Sequence, residues 1–299
     1  MPAVRGKKAS ETARSSGVKA TTLRLWLPAA AVLLAIAGAA SYWGGDSDST
    51  AEVSSGPRRD GQWIWTRTDA RSFEELAKDR PALVLAVHVA TMKDDLVAHR
   101  ALSPAVAGPR EVALVVRFDD SFHRVWEAAP PTERVIAELL RVVAEARATG
   151  VTVTELQLDY DAPVRRLPEW AALVRQVATR VDVSIWVTSI PAHLRDPHYG
   201  ERLRGAVAGH VIQLFDTGLP CSRGKAAELG AQLRRHALPF RVGVGAFERR
   251  RGKRVSTEHG CWARAAHAFD VLPGMRGRMV FPAAASALTV AALLEEPES

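Results

Sequence analysis

From Gly61 onward, short β-like runs alternate with amphipathic helical stretches. The strand-like runs are Trp63–Thr66, Leu83–Val89, Ala113–Phe118, Thr154–Asp159, Val183–Thr188, His210–Phe215, Phe240–Val244 and Arg278–Phe281. Helical patterns occupy Ser72–Lys78, Thr132–Ala148, Pro168–Arg180, Gly200–Val207, Arg223–Arg235 and Glu258–Phe269, and Ala284–Leu294 closes the chain. Only Thr91–Glu111 lacks a regular period. Strands interleaved with helices in this number predict a (β/α)₈ TIM-like barrel. A doubly wound open sheet is the competing architecture, but its Gly-rich fingerprint after the first strand is missing.

Ahead of this domain the pattern changes. Leu25–Gly45 contains no charged residue, and a membrane helix needs ~20 predominantly apolar residues. Trp26 at one end and Tyr42 and Trp43 at the other match interfacial anchors. Residues 1–24 carry six cations against Glu11, so the positive-inside rule puts this tail in the cytoplasm. The expected organisation is a disordered basic tail (1–24), a transmembrane signal anchor (25–45), a Ser/Asp/Gly-rich linker (46–60) and an extracytoplasmic barrel (61–299). The alternative is a cleaved signal peptide ending at Ala37-Gly38-Ala39, which would leave the domain secreted. Both readings export it.

Composition adds exclusions. With 47% hydrophobic and 24% charged residues the chain is neither disordered nor fibrous. The formal charge of +7 suggests nucleic acid at first sight. The tail accounts for +5 of it, leaving +2 for everything else, so no nucleic-acid partner is expected. Cys221 and Cys261 are too few for a disulfide scaffold, and whether they pair is open. No phosphate loop, serine-hydrolase elbow or HExxH motif is present. His193, Asp196 and His198 do not match a zinc spacing. No cofactor and no metal are expected. The run Arg249-Arg250-Arg251-Gly252-Lys253-Arg254 is either a solvated loop or a contact for an acidic polymer or lipid headgroup.

The candidate chemistry lies on the fourth strand-like run. Buried parallel strands should be near-continuously apolar, but Glu155-Leu156-Gln157-Leu158-Asp159-Tyr160-Asp161 alternates strictly. Leu156, Leu158 and Tyr160 belong against the helices, which turns Glu155, Gln157, Asp159 and Asp161 into the barrel. An inward Arg117 on the preceding run would hold Asp159 ionised, and a charged Asp159 would raise the pKa of Asp161. That division suits general acid catalysis, with Asp161 as proton donor and Asp159, steadied by Arg117, as charge stabiliser. Further candidates for substrate contact are Trp65 as a stacking platform, Asp119, Tyr160, Thr188, Gln213 and Glu248.

The Leu156–Asp161 segment resembles the fourth-strand motif of chitinase-type glycoside-hydrolase barrels, whose alternating acids end in a catalytic Glu. The whole domain resembles an uncharacterised bacterial family of exported, glycosidase-like barrels. The residues that carry this are Trp63-Ile64-Trp65, Arg117, the Asp-Tyr-Asp triplet, Ser184–Pro191 and Gln213. The resemblance implies a polysaccharide substrate cleaved by carboxylate acid/base chemistry. Asp161 stands at the Glu position one methylene short, and Gln157 replaces an earlier acid. A non-catalytic glycan-binding or envelope interaction barrel, its acids structural, is the alternative.

Overall fold

The computed structural model describes residues 57–295 apart from 109, 128–130, 248, 252–253 and 257. The basic tail, the apolar run 25–45 and most of the linker lie outside them. Among the described residues no helix is long and apolar enough to cross a membrane.

The strands are β1 (Gly61–Ile64), β2 (Val84–Met92), β3 (Ala98–Arg100), β4 (Glu111–Phe118), β5 (Thr152–Asp159), β6 (Ser184–Ser189), β7 (Gly209–Gln213), β8 (Phe240–Gly245), β9 (Arg249–Arg251), β10 (Arg254–Ser256) and β11 (Met275–Phe281). The helices are α1 (Arg67–Asp79), α2 (Thr132–Ala148), α3 (Leu167–Arg180), α4 (Tyr199–Leu203), α5 (Arg223–His236), α6 (Glu258–Ala266) and α7 (Ala287–Leu294). Eight strands pair in parallel in the order β1-β2-β4-β5-β6-β7-β8-β11, and β11 returns to β1. The sheet is therefore a closed (β/α)₈ barrel, as the strand pattern predicts. β9 and β10 form a separate antiparallel ribbon.

Local signals set the helix starts. Thr66 and Asp69 form a capping box at α1, and Ser222 and Ser286 cap α5 and α7. The irregular Thr91–Glu111 segment holds no helix. β3 instead folds back antiparallel on β2, followed by a single 3₁₀ turn at Pro104–Ala107. In β11, Gly277 has φ +121°, and a Cβ there would meet the Arg59 carbonyl oxygen at 2.3 Å. Only glycine fits where the chain entering β1 crosses so closely.

The residues along β5 behave as the alternation requires. Leu156, Leu158 and Tyr160 pack outward with the helices. The inward residues build three layers. At the bottom, Arg241 grips Glu155 through two bonds of 2.7 Å, its guanidinium 3.9 Å above the Trp186 ring. In the middle, Trp63 Nε1 donates to Gln157 Oε1 at 2.9 Å. This indole fits because Gly243 faces it, where a Cβ would lie 2.9 Å from the ring. The top layer opens to solvent and holds Asp159. Glu155 and Gln157 are thus internal structure, and only the upper acids are left for chemistry.

Candidate active site

A cleft of about 370 Å³ opens at the carboxyl ends of the strands, where βα-barrel sites lie. Its polar residues are Arg117 from β4, Asp159 and Asp161 from β5 and beyond, Gln213 from β7, and Asp216 and Thr217 from the loop that follows β7. Trp63, Trp65, Phe215 and Phe281 supply an aromatic wall, with the Phe215 and Phe281 rings stacked at 5.3 Å.

Asp159 is fixed from one side only. Thr188 Oγ1 and Gln213 Nε2 both donate to its Oδ1, at 2.9 and 3.1 Å. Its Oδ2 has no protein donor among the described residues. Burial pushes the Asp159 pKa up, against the pull of Arg117 and the two donors. This corrects the expectation that Arg117 holds the carboxyl acidic. Arg117 makes no ion pair within 4 Å among the described residues; it lies over Trp65, Cζ 5.5 Å from the ring centroid. Desolvation outweighs an arginine at that range.

Asp161 is two residues nearer solvent. Its side chain is exposed but stands in the concave mouth, among protein on most sides. This partial burial, and next the negative charge of Asp159, raise its pKa to about 6. No ladder holds it, because the β5–β6 register ends at Leu158. His193 Nε2 instead donates to the carbonyl of the following Ala162 at 2.7 Å, and the His193 Nδ1 accepts the Ile190 N–H at 3.4 Å. Burial lowers the His193 pKa to about 4, so the ring is neutral and that tautomer holds.

The other expected residues divide. Thr188 is buried and acts through Asp159, with no face on the cleft. Tyr160 is a correction: it points away from the barrel, its hydroxyl bonded to Trp126 Nε1 at 3.0 Å and His123 Nδ1 at 2.8 Å. Period-two alternation between Asp159 and Asp161 leaves it no other direction. Asp119 is a second correction. Its Oδ1 accepts from the Ser121 amide and hydroxyl at the start of the 3₁₀ segment Asp120–Glu127, outside the cleft lining. Glu248 lies outside the described residues. Trp65 lines the cleft, stacked on His88 at 4.0 Å.

Sequence reading passed over Phe215, Asp216, Thr217 and Phe281 as cleft residues, and weighed His193 only as a metal ligand. Phe215 and Phe281 end two of the strand-like runs, and the strand-end rule marks that position. Asp216 adopts φ +56°, in the left-handed region that aspartate tolerates better than most non-glycine residues. The loop that carries it is held by the Cys221–Cys261 disulfide to α6, and by Trp262 Nε1 donating to Leu219 O at 3.2 Å.

Residues 108–236 match the model of a domain of unknown function (DUF3142). That stretch carries Arg117, Asp159, Asp161, Thr188 and Gln213. No curated protein matches the chain in sequence. The spore cortex-lytic enzyme SleL of Bacillus megaterium QM B1551 superposes with a TM-score of 0.53 at 11% identity, over 80% of this chain and 74% of that one. The GH113 β-mannanase AaManA of Alicyclobacillus acidocaldarius gives 0.51 at 17% identity, over 82% and 90%. At these identities the likeness is one of fold alone, a (β/α)₈ TIM barrel.

Proposed function

We propose that the domain is an extracytoplasmic glycoside hydrolase acting on envelope or extracellular polysaccharide, anchored through residues 25–45. The observation that carries this is the open mouth. Two inward carboxyls, neither tied up by Arg117, face one cleft opposite an aromatic wall. A sugar ring stacks its C–H face on such a wall while its hydroxyls meet the polar side. Burial, and after it the negative charge of Asp159, raises the pKa of Asp161. Asp161 then keeps its proton to about pH 6 and donates it to the leaving glycosidic oxygen. The Asp159 carboxylate, positioned by Thr188 and Gln213, faces the positive charge developing on the sugar. The cognate disulfide suits an oxidising compartment, which supports export.

The test is a polysaccharide screen with the wild-type chain beside Asp161→Asn. Release of reducing ends by the wild type and its loss in the variant is the expected result. Binding without turnover in both would instead favour the non-catalytic glycan-binding barrel.

A further inference from the structure

The barrel ladder stops short of one wall of the cleft. β7 pairs with β6 as far as Ile212 and with β8 as far as Gln213, and the Leu214 N–H adds one bond to the Gly243 carbonyl at 2.9 Å. Gln213, which positions Asp159, is therefore set by the sheet. Phe215, Asp216 and Thr217 line the same cleft beyond that last bond. Among the described residues, no backbone-to-backbone hydrogen bond is made from Thr217 to Cys221. Helix α5 begins only after its N-cap, Ser222.

Two attachments to α6 take the place of the ladder. The Cys221–Cys261 disulfide ties the end of the loop to that helix across 40 residues of chain. Trp262, next along α6, is 1% exposed and donates from Nε1 to the Leu219 carbonyl at 3.2 Å. The Leu219 N–H in turn donates to Thr217 Oγ1 at 3.2 Å, so the attachment reaches a residue of the cleft lining. α6 itself packs on β8. The wall that begins at Phe215 is thus located relative to the barrel through α6.

We infer that Cys221, Cys261 and Trp262 are positioning residues for the substrate cleft: the disulfide holds the Phe215–Thr217 wall in place, and the cleft is complete only once the two thiols are oxidised. The inference rests on the glycan reading for its ligand and goes beyond it in making binding depend on redox state. The oxidant is a second disulfide, of a protein or of a small thiol. One cysteine thiolate attacks it and releases the first thiol; the other attacks the mixed disulfide and releases the second. Two electrons pass to the oxidant, and the two cysteine protons go to the thiols it releases. In a reducing compartment the pair stays as thiols and the wall loosens. The acids of β5 are untouched, because Thr188 and Gln213 hold Asp159 from within the ladder. Redox state should therefore move substrate affinity and leave the chemical step alone.

The experiment compares three forms of the full chain in a non-ionic amphipol: oxidised, reduced and capped with iodoacetamide, and Cys221→Ser/Cys261→Ser. Chymotrypsin reads the wall without any glycan. Cleavage after Phe215 should run at least about tenfold faster in both disulfide-free forms, with cleavage elsewhere in the barrel unchanged. Affinity for glycol chitin, laminarin or mannan, whichever the oxidised chain binds, should fall about tenfold, because the loop must then be ordered on binding. Turnover at saturation should stay within about twofold. Should the double variant fold poorly, the reduced and capped chain decides alone, since it folded with its disulfide in place. Equal cleavage after Phe215 in all forms overturns the inference and leaves the glycan reading standing. Faster cleavage at every site overturns it too, making the disulfide a support of the whole fold, as does lost turnover at unchanged affinity. If no polysaccharide binds the oxidised chain, the glycan reading falls and the proteolysis still decides the wall.

Discussion

Thr188 joins the backbone that aims Asp161 to the carboxyl of Asp159: its hydroxyl donates to Asp159 Oδ1 at 2.9 Å and accepts the Tyr160 N–H at 3.1 Å. The side chain is 2% exposed, so no water replaces either bond. Thr188→Val keeps the shape and removes both. Losing a donor to the charged form raises the Asp159 pKa further and orphans a buried amide at about 1–3 kcal/mol. Turnover should fall by about 10²-fold, the scale of a 1 Å misplacement, with KM nearly unchanged. Steady-state kinetics check this, and Thr188→Ser should restore most of the rate.

The pH dependence of turnover follows from Asp161. Burial in the mouth and then the Asp159 charge raise it to about 6, so the proton-donating form prevails below that pH. The rate constant should decline as pH rises through about 6, and a pH–rate profile reports the limb directly. Stability has the same sign. Between the ordinary 3.8 and about 6 the native state keeps a proton that the unfolded chain has released, so Asp161 costs stability as pH rises through that window. Asp161→Asn should flatten this part of the stability curve.

A second titration works in the opposite direction. His193, His210 and His236 lie around Tyr199, and burial lowers the first two to about 4 and about 3 and the third below its ordinary value. Below pH 6.5 the unfolded chain gains protons that the native cluster refuses, so stability is lost as pH falls towards 4 and 3. Denaturant titrations across this range should show the slope. His210→Gln should reduce it.

The Glu155–Arg241 pair sits deep in the barrel, with side chains 11% and 4% exposed. Arg241→Met alone strands a buried carboxylate and should cost about 3–5 kcal/mol. The double variant Glu155→Leu/Arg241→Met should recover most of that loss. Chemical denaturation of the single and double variants tests the pairing, and glycan binding at the far end of the barrel should change little.

Much of this molecule was legible in its sequence because period and burial agree. All eight barrel strands overlap the strand-like runs, and the run that alternates strictly, Glu155–Asp161, locates the cleft. What alternation cannot show is how far down the barrel each inward residue sits. Glu155 and Asp159 look equivalent in the pattern, yet one is locked to Arg241 from β8 and the other faces the cleft. Partners from distant strands decide that, as they decide that Gln213 rather than Arg117 reaches Asp159. The clamping role of His193 was invisible for the same reason: its acceptor, Ala162, belongs to another loop.

The bottom-layer ion pair has a bearing on how the site is assembled. A slip of β5 by one residue would turn every inward side chain outward at once. It would also sever Glu155 from Arg241 and leave both charges stranded among apolar groups, a state about 3–5 kcal/mol too high to persist. Misregistered chains are thereby penalised. Glu155 and Arg241 in effect proofread the placement of Asp159 and Asp161 without ever touching them.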